Sequence, residues 1–247
     1  MIRAKSSIQR TTKWRVETTM IQKAHEAYNA GDYTTAFELY TQLAETGNAD
    51  AQTSLGFMHQ NEQGCEKNEA RTLELYTKAA EAKQPYALFN LAILYENGVG
   101  GVEHDQFKAH ELHMEAATRE VPPAMYEVAL MLERGLGCIQ NYSEAAFWYE
   151  EGAKRGHLEC FNNLGVLYKE GHGVAQDEAR TFICFSRAAD GGLAEGLYNL
   201  GLLYDQGIGC EKDNDKALDY CRKAAYKGHS KAKNIIKGLQ EDGKIVF

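Results

Sequence analysis

A repeat of about 36 residues runs through this chain and constrains its fold more than any other feature. Six positions that lie in phase are separated by 36, 37, 36, 36 and 36 residues: Ala51, Ala87, Ala124, Cys160, Gly196 and Ala232. The first five are each followed, four residues later, by Leu or Val paired with Gly or Ala, as in Leu164-Gly165. A period of this length is typical of repeat proteins, in which each unit stacks on its neighbours and buries a continuous core.

Each repeat carries the pattern of two helices. Leu164 and Tyr168 are four residues apart and share one helix face, and Gly165 leaves room for a neighbouring helix. A glycine pair, as at Gly171 and Gly173, is predicted to end this first helix, because glycine adopts the left-handed backbone conformation at little cost. The second helix is predicted to begin at an N-cap residue, whose side chain accepts from the free backbone amides. These N-cap residues are Asn68, Asp105, Asn141, Asp177 and Asp213. The pattern therefore predicts an all-α fold.

The motif in the fourth full repeat is specific enough to suggest a family. It consists of Cys160, Leu164, Gly165, Tyr168, Gly171, Gly173, Val174 and Asp177. This spacing resembles the Sel-one-like repeat, a relative of the tetratricopeptide repeat with a longer loop. The resemblance implies a right-handed α-α superhelical solenoid.

The resemblance covers about residues 51 to 228 in five units. We place repeats near 51–86, 87–123, 124–159, 160–195 and 196–231. Residues 17–48 are predicted to form a tetratricopeptide-like N-terminal unit, and residues 232–247 a C-terminal capping helix. We expect 17–247 to be a single solenoid domain, preceded by a basic arm at residues 1–16.

Charge and hydropathy narrow the choice of partners and location. The formal net charge is -8, which argues against nucleic acid, since phosphate binding needs a clustered basic surface. No apolar run approaches the length of a membrane span, so we expect no membrane insertion. The first 16 residues contain Arg3, Lys5, Arg10, Lys13 and Arg15 and no acidic residue. This start fits either a mitochondrial transit peptide or a basic arm.

The six cysteines are interpreted as core and loop residues. Cys65, Cys138 and Cys210 occupy a loop position where Val102 and Val174 stand in sister repeats, and Cys160, Cys184 and Cys221 fall at core positions. Free cysteine behaves as a small apolar residue, and the chain has no C-x-x-C pair. We therefore expect an intracellular, reducing compartment, with the cytoplasm favoured and mitochondrial import as the alternative.

No constellation in the sequence indicates catalysis, a metal or a cofactor. His110 and His113 are three residues apart on a predicted helix, but His113 aligns with the packing residues Tyr76 and Tyr149 and is interpreted as a core residue. A disulfide-rich branch of the family has been described as β-lactamase-like or penicillin-binding. Ser230 and Lys233 satisfy the S-x-x-K motif, but neither S-D-N nor K-T-G accompanies them. We therefore expect that the protein is not an enzyme.

The resemblance to tetratricopeptide domains also implies a binding face. In those domains the concave groove is lined by first-helix residues adjacent to the conserved Leu. The corresponding predicted partner-binding residues here are Phe57, Phe89, Asn90, Ile93, Tyr126, Leu130, Asn162, Asn163, Val166, Tyr198, Asn199 and Leu202. Asparagine amides can donate and accept together, so a series of them suits an extended peptide backbone.

These observations predict a protein–protein interaction scaffold that binds a protein or extended peptide on its concave face. Two alternatives remain open. One is a structural subunit of a larger, mitochondrial assembly, suggested by the basic start. The other is a hydrolase of the disulfide-rich branch, although two cysteines per repeat at a fixed spacing are missing.

Overall fold

The structure is a computed structural model that describes residues 17–241. The predicted basic arm at 1–16 and the last residues of the predicted cap, 242–247, lie outside this range. The chain divides into two compact units, one ending at Val121 and the other beginning at Pro122. The single solenoid domain predicted for residues 17–247 stays a prediction.

Thirteen helices and no strand are present among residues 17–241. In the first unit α1 spans 17–29, and it is followed by α2 Tyr33–Glu45, α3 Ala49–Gln60, α4 Glu69–Glu81, α5 Pro85–Asn97 and α6 Gln106–Thr118. The second unit contains α7 Pro122–Arg134, α8 Tyr142–Lys154, α9 Leu158–Glu170, α10 Glu178–Asp190, α11 Ala194–Gln206, α12 Asn214–Tyr226 and α13 Ser230–Glu241. The predicted all-α class is confirmed, and each full repeat is a pair of helices.

The predicted N-caps set the start of the second helix in every full repeat. Asn68, Asp105, Asn141, Asp177 and Asp213 each accept a hydrogen bond from the backbone amide three residues later. The first helix of a repeat can end at a glycine, as α9 does. At Gly171, after α9, the backbone takes the left-handed conformation with φ of 72°, and its amide bonds to the Leu167 carbonyl. Local chemistry alone therefore accounts for most helix boundaries.

Neighbouring helices within each unit pack through apolar side chains. In the first unit Tyr40, Leu43, Leu55 and Met58 are buried together, and in the second Phe185, Leu197, Leu200 and Leu203 form a comparable cluster. Each first helix contacts the second helix of its own repeat, as α9 does α10, and the second helix also contacts the next first helix, as α10 does α11.

The predicted role of Gly165 is confirmed. A Cβ atom placed on it would lie 2.7 Å from Cε1 of Phe185 on α10, well inside van der Waals contact. Gly56 stands in the same relation to Tyr76, where the distance would be 2.8 Å. The small residue after the Leu thus receives the edge of a buried ring from the second helix.

All six cysteines have free thiols, and Cys160, Cys184 and Cys221 are buried as predicted. Burial raises the pKa of the Cys184 thiol to about 11, so it behaves as an apolar group. Along residues 17–241, no helix has both the length and the apolarity that crossing a bilayer requires.

Candidate functional site on the first helices

The predicted binding residues lie on five first helices, two in the first unit and three in the second. In the first unit, Phe57 is on α3 and the other three, Phe89, Asn90 and Ile93, are on α5. In the second unit Tyr126 and Leu130 are on α7, three residues from Asn162 to Val166 on α9, and three from Tyr198 to Leu202 on α11. All of them are at least partly accessible except Asn162.

Asn162 departs from the expected role of a direct partner contact. Its side chain is buried, with 6% of the residue exposed, because its amide is used inside the protein. Nδ2 of Asn162 donates to Oδ1 of Asn163 at 3.2 Å, and Oδ1 of Asn162 accepts from Nδ2 of Asn199 at 2.8 Å. A satisfied, buried amide does not offer these atoms to a partner, so Asn162 acts on the face only by orienting its neighbours.

The asparagines belong to a hydrogen-bond chain that joins four helices of the second unit. From Asn163, Nδ2 donates to the hydroxyl of Tyr149 at 3.0 Å, and that hydroxyl donates to Oε2 of Glu133 at 2.7 Å. Tyr149 is fully buried, and burial raises the pKa of its hydroxyl far above the usual value. Every donor in the chain points toward the carboxylate of Glu133, an arrangement in which successive bonds polarise one another.

The first unit contains a shorter version of this chain. Tyr76, at the position of Tyr149, donates its hydroxyl to Oε1 of Gln60 at 2.9 Å, and the side chain of Asn90 also bonds to it. In both units, then, an asparagine on a first helix is anchored by a buried tyrosine of the preceding second helix. Tyr76 and Tyr149 align in the repeat, but their hydrogen bonds to the asparagines were not predicted from the sequence.

His113 stands at the same position and is buried, which confirms its interpretation as a core residue. Its Nε2 lies 3.6 Å from Oε2 of Glu96, and the interaction with the nearby imidazole lowers the pKa of the Glu96 carboxyl. The ring also packs on Phe89, with centroids 5.4 Å apart. Among residues 17–241 no group of three or more His, Cys, Asp or Glu side chains could hold a metal ion.

Two histidines that the sequence analysis missed position the tyrosines of the second unit. The His157 ring stacks on Tyr126 with centroids 5.3 Å apart, and His229 stacks on Tyr198 at 4.3 Å. His229 also lies 2.8 Å from Oε2 of Glu195. The signal was present in the sequence, because each histidine follows its tyrosine by 31 residues, just before a first helix.

The resulting face of the second unit combines aromatic, apolar and amide groups. Tyr126 and Tyr198 present rings that are stacked from one side, Leu130, Val166 and Leu202 add partly exposed apolar surface, and Asn199 is oriented by its bond to Asn162. Rings and apolar side chains can receive side chains of an extended polypeptide, and amides can bond to its backbone.

Ser230 and Lys233, the residues of the S-x-x-K match, are both exposed on the first turn of α13. An exposed position does not supply the adjacent base or the desolvation that activates a nucleophile. The first-helix face of the second unit is therefore the better candidate site.

Paired helices that recur every 36 or 37 residues, each with a side-chain face on its first helix, define a helical repeat protein. The sequence model of the Sel1 repeat matches residues 29–48, 49–83, 85–119, 122–157, 162–193 and 194–229, and the chain belongs to the Sel1 repeat family. The match at 29–48 covers part of the unit that we predicted to be tetratricopeptide-like, so six segments rather than five carry the Sel1 pattern. Proteins of this family commonly mediate protein–protein interactions, and their repeat fold is generally non-enzymatic.

Solved structures show the same fold. A Sel1 repeat protein from Oxalobacter formigenes is 28% identical, with 89% of this chain and 87% of that chain covered and a TM-score of 0.84. The protein c5321, a protective antigen of uropathogenic Escherichia coli strains that displays an SLR fold, is 25% identical with a TM-score of 0.82. In that comparison 96% of this chain but only 52% of the other is covered. A search of curated proteins found no match.

Proposed function

We propose that this protein is an interaction scaffold that binds an extended segment of a partner polypeptide on the first-helix face of its second unit. The observation that carries the proposal is the orientation of Tyr198 and Asn199 on α11. The ring of one is stacked on His229 and the amide of the other is held by Asn162, so both keep accessible surface while their rotamers are restricted. Groups that are ordered before binding lose less conformational entropy when the partner arrives.

The charge of the surroundings supports a polypeptide that is neutral or basic. Glu133 ends the hydrogen-bond chain, Glu195 borders the stacked His229, and the whole chain has a formal net charge of -8. An acidic surface accelerates association with a positively charged partner and disfavours acidic ones.

In the first unit, Phe57, Phe89, Asn90 and Ile93 form a separate candidate contact set. Phe57 is 40% exposed, and Asn90 is anchored by Tyr76. We assign it the same kind of ligand, an extended polypeptide segment.

The proposal is tested by selecting short peptides from a random displayed library on the full chain and measuring their affinities for variants. The double variant Tyr198→Ala, Asn199→Ala is expected to bind the selected peptides at least about tenfold more weakly, since side chains central to an interface contribute on the order of 1–2 kcal/mol each to the binding free energy. Circular dichroism checks that helicity is kept. Selected peptides that bind the double variant as tightly as the wild type would exclude this face.

The matched control is Phe147→Ala. Phe147 is an exposed aromatic residue of the second helix α8, 54% accessible, and Ile183 at the same position of α10 is 57% accessible. These exposed apolar side chains favour the second candidate, a structural subunit that docks in a larger assembly through its second helices. Loss of binding in Phe147→Ala, with the α11 variant unaffected, would support that candidate instead.

The hydrolase alternative is tested by the oxidation state of the cysteines. A member of the disulfide-rich branch would have its thiols paired, whereas we infer that all six are free in the native protein. Thiol titration of the unreduced protein under denaturing conditions is expected to count six thiols, and a count of two or fewer would revive the alternative.

A further inference from the structure

A cavity of about 580 Å³ opens between α11, α12 and α13 of the second unit. Its lining includes Tyr198, Leu202, Asp205, Cys221, Ile235 and Leu239. Two of these, Tyr198 and Leu202, also belong to the first-helix face, so the cavity is continuous with the surface to which the proposed function assigns the partner. Most of the lining is apolar, and Asp205 is its one charged member.

The preceding repeats show what normally occupies this place. Tyr149 on α8 and Phe185 on α10 lie 36 residues apart and are both buried, each filling the space beside the first helix of its own repeat. The next position in this series is Cys221 on α12. Its short side chain ends where the rings of the sister repeats continue, and this difference leaves the cavity.

The glycine that receives such a ring is still present. At Gly165 a Cβ atom would lie 2.7 Å from the Phe185 ring, whereas at Gly201, 36 residues later, its three nearest neighbours would be two backbone atoms and Cβ of Tyr220 at 3.4 Å. The Tyr220 ring itself stacks on Tyr204, with centroids 5.7 Å apart. The nearest atom there would be the carbonyl oxygen of Ala217 at 3.2 Å. The last repeat therefore retains the glycine but has no ring at the position of Phe185, since Cys221 stands there and the neighbouring Tyr220 ring stacks on Tyr204.

The hydrogen-bond acceptor for a ring hydroxyl is also retained. Glu133 on α7 accepts from the hydroxyl of Tyr149 at 2.7 Å, and Asp205 stands two repeats later at the same position of α11. Asp205 is exposed and lines the cavity. The pair that Glu133 and Tyr149 form in one repeat thus has its acceptor but not its donor in the last one.

We propose that this cavity is a vacant aromatic site that takes a tyrosine side chain of the partner polypeptide, with the ring against Gly201 and Leu202 and the hydroxyl donating to Asp205. The proposal rests on the proposed function, because it names a residue of the partner that binds the same face. It also predicts a specificity. A phosphorylated tyrosine would place two negative charges beside the carboxylate of Asp205, and like charges at that distance repel.

Small probes test the site without the partner. We would titrate the full chain with 4-methylphenol, which is the tyrosine side chain, and with toluene, which is that of phenylalanine, while observing the methyl NMR signals of Leu202, Ile235 and Leu239. Both probes are expected to shift these signals. Cys221→Tyr places a side chain of the protein itself in the cavity, so it should weaken the affinity for both probes by at least about tenfold.

Asp205→Ala separates the hydroxyl from the ring. It should weaken the affinity for 4-methylphenol by at least about fivefold, because hydrogen bonds to charged groups are stronger than neutral ones. The affinity for toluene should not change. Asp190→Ala, which removes an exposed carboxylate away from the cavity, is the matched control and should change neither. Since Asp205 is exposed, this variant carries the test if Cys221→Tyr does not fold.

Several results would overturn the inference. Equal affinity of the probes for the wild type and Cys221→Tyr would show that they bind elsewhere. If Asp205→Ala lowered the affinity for both probes equally, the proposed hydrogen bond from the hydroxyl to Asp205 would be refuted. Tighter binding in Phe247→Ala would identify the occupant as this chain's own end, outside the described residues, and tighter binding on dilution would identify it as a second copy. A library peptide that needs Tyr198 and Asn199 but is indifferent to Asp205→Ala and Cys221→Tyr would refute this inference while the proposed function stood.

Discussion

The side chain of Asn199 donates a 2.8 Å hydrogen bond to Oδ1 of Asn162, 37 residues earlier, and thereby links the first helices of two successive repeats. Through Asn163 and Tyr149 the same chain of bonds reaches Glu133. The amides predicted to bind a peptide backbone are therefore largely engaged with one another. Their main effect is to hold the accessible Asn199 in a fixed position, whereas stacking on His157 and His229 positions Tyr126 and Tyr198.

Removing the hydroxyl at the centre of this chain should destabilise the protein. Tyr149→Phe leaves Asn163 without its acceptor and Glu133 without its donor, at a cost of about 1–3 kcal/mol in the free energy of unfolding. Urea denaturation measures it. Tyr226→Phe is the control, because Tyr226 is 91% exposed, and it should have no effect. Equal stability of both variants would mean that the hydrogen bonds of the Tyr149 hydroxyl contribute nothing to the free energy of unfolding.

Two glycines in helices should respond to alanine in opposite directions. Gly165→Ala places a methyl group against the buried ring of Phe185, and such overpacking costs about 1–3 kcal/mol. Gly238→Ala meets no atom within 4 Å, so it should stabilise α13 by up to about 1 kcal/mol through helix propensity. Thermal unfolding of both variants provides the comparison, and a shift of the same sign in both would contradict the packing account.

The N-cap of α10 should be needed for stability. Asp177 accepts from the backbone amide of Arg180 at 2.9 Å, and Asp177→Ala is expected to cost about 0.5–2 kcal/mol. Asp177→Asn keeps the acceptor and should retain most of the stability. Chemical denaturation of the two variants decides the matter, since identical losses would point to the charge of Asp177 rather than to the capping bond.

Stability should fall in alkali, in part through Cys184. Burial raises the pKa of this thiol from 9.0 to about 11, so between these values the unfolded chain releases a proton that the folded protein keeps. The unfolded state then binds fewer protons, and the free energy of unfolding falls by up to about 1.4 kcal/mol per pH unit for this group. Below pH 9 its contribution is fully present.

Urea denaturation at pH 8 and pH 10 tests this contribution. Cys184→Ala is less stable at both values because it leaves a small void, but its loss between them should be smaller than that of the wild type by about 1 kcal/mol. The same pH-dependent loss in both proteins would show that Cys184 ionises equally in the folded and unfolded states.

The features that could be predicted from the sequence are those whose causes are local. The N-cap at Asp177 and the helix end at Gly171 depend on residues three or four positions away, and the small residue at Gly165 depends on the repeat frame. All three are confirmed. His113 was assigned to the core because it aligns with Tyr76 and Tyr149, and repetition supplied the information that one repeat alone would lack.

The roles of Asn162 and Cys221 could not be predicted in this way. The repeat alignment predicted that Asn162 contacts a partner and that Cys221 lies in the core. An alignment does not show which atoms are in contact. Asn162 is buried because Asn163 and Asn199 satisfy its amide. Cys221 is buried as predicted, but its side chain is short and lines a cavity shared with residues of α11 and α13.

By itself the sequence determined that this protein is an all-α repeat protein, where most of its helices begin and end, and which side of each helix is apolar. These properties follow from backbone conformation, capping and periodicity, which act over a few residues. Only the tertiary structure decided that the asparagines bond to one another and that the last repeat keeps an open cavity. Hydrogen-bond partners and cavities depend on side chains from helices 14 to 37 residues apart, and their distances are set by packing.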